Sequence, residues 1–197
     1  MRKTLLLLTT ALCLLGCDRY RPKDPVRESL ISVIIQATGA DEDKVYITDL
    51  HLVDSTTYGE ELAVRRYLLA YKAAVNESHR AYYAERGSRR AANLYAASVA
   101  KDRNALEGLD SLKVSLGEKL EEVAYYEFVY SAQASSPDTK YIIQDWHFLI
   151  TPRYHIIAMK QTHTGIARGL GKIIPGYLTV LGENEISEEE MEVYRNE

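Results

Sequence analysis

VAYYEFVYSAQA (residues 123–134), KYIIQDWHFLIT (140–151) and RYHIIAMKQT (153–162) follow one another, with Ser135–Asp138 and Thr151–Pro152 at the joins. Each segment is rich in β-branched and aromatic residues and alternates with a period of two, which predicts three strands. Connections this short leave consecutive strands to pair as an antiparallel meander. Pro152 has no N–H to give a ladder, so its place is a bend or bulge.

Upstream the period changes. DPVRESLISVIIQATG carries Asp24 as an N-cap, Pro25 at the first helical position and Gly39 just past the end, so both ends of a helix are marked. Val26, Leu30, Val33, Ile34 and Ala37 recur at helical spacing and face a core. Lys44–Val53 then alternates as a strand, with Val45, Ile47, Asp49, His51 and Val53 on one side and Tyr46, Thr48, Leu50 and Leu52 on the other. A long helix follows, opened by Thr57 with Glu60 three residues on, a capping-box pattern, and closed by Gly87. Leu62, Arg66, Leu69, Ala73 and Asn76 lie along one line of it. Ser88 caps a third helix to about Leu106, with Leu94, Tyr95, Val99 and Leu106 as its buried candidates. EGLDSLKVSLGEKLEE is either a short helix or an irregular crossing.

Helix, strand, two helices and a meander predict an α+β domain over residues 24–197, its helices packed on one face of a curved antiparallel sheet. In outline this resembles the cystatin-like or nuclear-transport-factor-like group, and architecture alone transfers no function. Residues 164–182, with five glycines, predict a loop and a short strand. The tail from Glu183 holds seven acids, and Ser187 suits the cap of a terminal helical turn.

The N-terminus decides location. Arg2 and Lys3 precede an apolar run, Leu5 to Leu15, that ends at Gly16 and Cys17, the layout of a secretory signal. About a dozen apolar residues fall short of the roughly 20 that span a bilayer. Leu14, Leu15, Gly16 and Cys17 resemble the lipobox of bacterial lipoprotein precursors. The resemblance implies cleavage after residue 16, a diacylglycerol thioether on Cys17 and an acylated new amino group. Two or three chains anchor a protein stably where one does not. Residues 17–23 then form a lipid-bearing tether, and the protein lies on the bacterial cell envelope outside the cytoplasm. Asp18 is associated with inner-membrane retention in some enteric bacteria and not in other groups, so inner and outer membranes are both open.

Loss of Arg2 and Lys3 with residues 1–16 moves the net charge from −4 to −6. That argues against nucleic acid as a partner, which wants a basic face. Cys13 leaves with the signal and Cys17 carries lipid, so burial alone must stabilise the domain. Fifteen tyrosines against two phenylalanines indicate many half-buried rings or a surface prepared for contact.

Three patterns invite chemistry. Asp49-Leu50-His51 and Asp145-Trp146-His147 each project a carboxylate and an imidazole to one side of a strand, with His155 and His163 following. Were the two strands neighbours in register, Asp49, His51, Asp145 and His147 would converge as metal ligands or a general base; otherwise they are ordinary sheet residues. Tyr126, Phe128, Trp146 and Phe148 alternate on shared faces and either line a pocket on the concave side or form the core under the helices. Arg80, Arg86, Arg89 and Arg90 gather at a helix connection, as a headgroup or glycan site or as solvated charge balanced by Glu77 and Glu85. GIARGLGK fails as a phosphate loop, because Ile166 stands where its first glycine belongs and Ile173 where Ser or Thr belongs. No nucleophile elbow occurs, so no catalytic residue and no cofactor is assigned. The sequence therefore points first to a lipid-anchored binding or accessory domain, touching membrane lipid through Cys17 and an envelope protein or glycan through its body. An envelope hydrolase or metal-binding protein using the Asp/His pairs is the second expectation, and a structural component of an envelope assembly the third.

Overall fold

Asp24 opens α1 (Pro25–Thr38) by accepting from the backbone N–H groups of Val26 and Arg27, and Gly39 closes it at φ 68° with its N–H on the Ile35 carbonyl. The computed structural model that shows this describes residues 24–161 and 171–181. Leu30 and Ile34 are the buried line of α1, flanked by Val26, Ile31 and Ile35, while Ala37 is exposed.

Four antiparallel strands follow the expected meander in the order β1 (Val45–Thr57), β2 (Val123–Ser135), β3 (Lys140–Ile150) and β4 (Ile156–Lys160). Pro152 falls in the β3–β4 turn. The fold is α+β, with α1 laid across one face of the sheet. Leu30 and Ile34 pack there with Val45, Ile47, Tyr130, Ala132, Ala134, Phe148 and Ile150. Register shifts bend the sheet: Thr48 and Val53 are extra residues in β1, and β3 carries one extra residue at Gln144–Asp145. These bulges correct the simple alternation expected of β1. Val45 and Ile47 face α1, but beyond Thr48 the facing residue becomes Leu50, and Asp49 and His51 turn to the opposite, outer side.

Between β1 and β2 the chain makes a hairpin of two 28-residue helices, α2 (Tyr58–Glu85) and α3 (Arg89–Leu116), each about 42 Å long. Thr57 Oγ1 accepts from the Glu60 N–H while Glu60 reaches back to the Thr57 N–H, the capping box that the sequence predicts. On the line of α2 that the spacing marks, Leu62 and Leu69 are buried, while Arg66 is exposed and pairs with Asp110 of α3. The third helix runs ten residues beyond the expected end at Leu106. Leu109, Leu112 and Leu116 of that extension carry the hairpin core with Leu62, Leu69 and Ala105. Gly108 hid it, since glycine weakens a helix interior by about 1 kcal/mol. Space explains the glycine: a Cβ there would overlap Val180. Val180 belongs to α4 (Tyr177–Leu181), a helix where a short strand is expected, and Tyr177 and Leu181 complete the same core. Of α3's expected buried residues, Val99 is buried and Leu94 exposed.

The outer face of the sheet is covered at one end, where Tyr58 and Ile173 pack on Ala124, Tyr125 and Leu149. Among the described residues no helix is long and apolar enough to cross a membrane. The expected signal over residues 1–16, Cys17 with the expected tether, His163 and the acidic tail lie outside the described residues.

Candidate functional site

The register sets out the outer face row by row. His51 of β1 stands opposite Val129 of β2, which stands opposite His147 of β3. One row along, Asp49 pairs with Ser131 beside the Asp145 bulge, and beyond that Tyr46 pairs with Gln133, itself opposite Ile142. In the other direction Asp54 faces Glu127, which faces Leu149. Spacing put each pair on one side of its own strand, and the register brings Asp49, His51, Asp145 and His147 to the same face. They do not share a centre, because β2 stands between the pairs and separates the histidines by two strand spacings, about 9.6 Å.

Each group instead has a local partner. His51 Nδ1 lies 3.0 Å from Asp49 Oδ2, and His147 Nδ1 lies 2.8 Å from Oε1 of buried Glu127. Asp145 accepts its Ser131 contact at 3.4 Å and returns its own N–H to Ser131 Oγ at 3.1 Å. Among the described residues no three His, Cys, Asp or Glu side chains gather as a metal site. Glu127, the carboxylate that orients His147, is invisible to a search for Asp-x-His because its strand lies between the two motifs.

The bulges cut a cleft of about 250 Å³ across this face, lined by Thr48, Ser131, Gln133, Ile142, Gln144 and Asp145 among others. Asp145 sits at φ 52°, in the left-handed region that aspartate visits more readily than most residues. At the rim, Tyr46 is 61 % and Ile142 73 % exposed, two large apolar side chains flanking a row of amides, hydroxyls and carboxylates.

The aromatic quartet lies on the other side. Phe148 is fully buried, stacked on Phe128 at 5.4 Å and edge-on to Tyr130 at 5.6 Å, with Tyr126 and Trp146 packed around the same core. These four are the core beneath α1 and line neither this cleft nor the groove described below. At the hairpin tip Arg80 binds Glu77 and Arg86 lies over the Tyr82 ring at 4.2 Å, while Arg89 and Arg90 are exposed.

Beneath the outer face runs a polar connection that sequence reading missed. Tyr125 Oη donates to Glu61 Oε2 at 3.0 Å, and Arg65 Nε donates to Glu61 Oε1 at 3.1 Å, with all three side chains buried. Burial pushes the Tyr125 phenol far above its ordinary range, and the Glu61 carboxylate adds to the effect. Burial alone lifts Tyr130 to about 12. A phenol whose pKa is higher in the fold than in the open chain stabilises the fold fully below about pH 10, and that contribution is lost as pH rises toward 12. Alkaline titration is expected to show phenolate absorbance rising in two steps, the second coinciding with loss of helical circular dichroism. A single step with the fold intact would show both hydroxyls open to water.

No protein-family model, curated protein or solved structure matches the chain, so the functional reading rests on the sequence signal and on this geometry.

Proposed function

We propose that the protein is a lipid-anchored binding or accessory domain of the bacterial cell envelope, moored through Cys17 and offering the outer face of its sheet to an envelope protein or glycan. Leu14, Leu15, Gly16 and Cys17, seven positions ahead of the Asp24 cap, support the mooring. A tether from Cys17 to Lys23 reaches at most about 25 Å, so the domain stays close to the headgroups. One observation carries the binding role: exposed Tyr46 and Ile142 beside a bulge-cut polar cleft, on a face whose other end is packed. Large apolar residues rimmed by polar ones mark interaction surfaces.

Two measurements test this. Mass spectrometry of the mature N-terminus should find acylated Cys17 in the wild type, and Cys17→Ser should leave the membrane fraction. A photo-cross-linker at position 142 should capture a discrete envelope component, while one at exposed position 114 on α3 should not. Recovery of an unacylated soluble wild type, or equal capture from both positions, rejects the proposal. The hydrolase reading is favoured by one feature, the orientation of His147 by Glu127, which suits an imidazole to work as a general base. His147→Gln should then abolish turnover while leaving cross-linking from position 142 unchanged.

A further inference from the structure

We infer that the groove between α1 and the β3–β4 turn is a carbohydrate subsite in which the ring of Tyr154 is the platform for a pyranose. The groove is shallow and open, offers about 430 Å³, and is lined by Glu28, Ser29, Ser32 and Val33 of α1 and by Tyr154, His155 and Ile156. It shares no lining residue with the outer-face cleft and depends neither on that face nor on the anchor.

Turn chemistry singles out Tyr154. The Thr151 N–H donates to the His155 carbonyl at 2.9 Å and the Tyr154 N–H to the Thr151 carbonyl at 2.8 Å, closing a tight loop between β3 and β4. Pro152 occupies the second position, where proline favours a turn. Tyr154 then adopts φ 64°. In hairpin loops of this kind the left-handed position is glycine's, because a β-carbon there crowds the following carbonyl. Tyrosine is a far rarer occupant than the aspartate at the other cleft.

Burial does not explain the choice, since Tyr154 is 47 % exposed and belongs to no packed cluster. What the strained turn achieves is presentation. Ser29 Oγ donates to the Tyr154 carbonyl at 2.8 Å, tying the turn to α1, and the His155 N–H donates to Thr151 Oγ1 at 3.2 Å. Strain of this sort persists at functional sites when the surroundings enforce it.

The chemistry around the ring suits a sugar. An aromatic face receives the apolar C–H side of a pyranose. Ser32 and His155 can each donate or accept, and Ser29 Oγ, which donates to the Tyr154 carbonyl, can still accept. The volume suits roughly one or two sugar rings.

The experiment is an amide-shift titration of the full mature chain with chitotriose and, separately, maltotriose. Saturable shifts at Ser29, Ser32, Tyr154 and His155 with either probe are expected. Tyr154→Gly should raise Tm by about 2–4 °C by relieving the turn and weaken binding about tenfold or more. Tyr154→Phe should keep both the wild-type Tm and the binding. The inference is overturned if neither oligosaccharide gives saturable shifts in the wild type, if Tyr154→Gly binds as well as wild type, or if Tyr154→Gly lowers Tm, since the tyrosine would then be a packing residue.

Discussion

Arg65→Met is expected to destabilise the fold by about 3–5 kcal/mol, because it leaves Glu61 as a buried charge without its cation. Glu61 and Arg65 are 0 % and 1 % exposed, one helical turn apart near the start of α2, where the hairpin meets the sheet. The pair is not a large source of stability in itself, since removing two charges from water offsets much of their attraction. Its disruption is what is costly. Glu61 also accepts from Tyr125, so Glu61→Leu/Arg65→Met should still cost about 1–3 kcal/mol for the hydrogen bond that the buried phenol loses. Adding Tyr125→Phe should bring the triple variant close to wild type. Urea unfolding of the four proteins measures the series. A cost below about 1 kcal/mol for Arg65→Met would mean that water reaches the pair and screens it as at a surface.

Phe148→Ala carries the second large effect, about 3–5 kcal/mol, because it empties the centre of the layer between sheet and α1. The ring touches Phe128 face to face and Tyr130 edge to face, and its strand is held on both sides by β2 and β4. Collapse around the void is limited from the sheet side, since moving a β2 or β4 neighbour breaks a ladder. Phe128→Ala should cost less, because that ring is only partly buried. Chemical denaturation followed by circular dichroism compares the two. Equal losses would place the centre of the layer between the rings rather than at Phe148.

Much of this architecture was legible because it is written in local chemistry. The Asp24 and Gly39 caps, the Thr57–Glu60 box and the period-two meander each involve residues a few positions apart, and all four features form as expected. Long-range geometry was not legible. Nothing adjacent to Thr48 announces a bulge, yet that one residue moves Asp49 and His51 to the outer side and Leu50 to the core. The helix continuing through Gly108 reads in sequence as a separate short helix or an irregular crossing, and the Val180 side chain that requires this glycine lies 72 positions away. Glu61, Arg65 and Glu127 carry charges and therefore look like surface residues, and only their partners in space make them buried. For the candidate site, the common side within each Asp-x-His motif could be read from spacing, but the strand between the motifs and the face they share could not.

The two bulges in β1 have a consequence for how copies of the molecule meet. β1 is the open rim of the sheet, and an unbroken rim of thirteen residues would let one copy zip onto the next. Extra residues at Thr48 and Val53 put that rim out of step with any straight neighbour, and Asp49 and Asp54 add like charges beside the breaks. Neighbouring copies at high concentration would therefore jostle without polymerising, and the sheet would stay a single molecule's own.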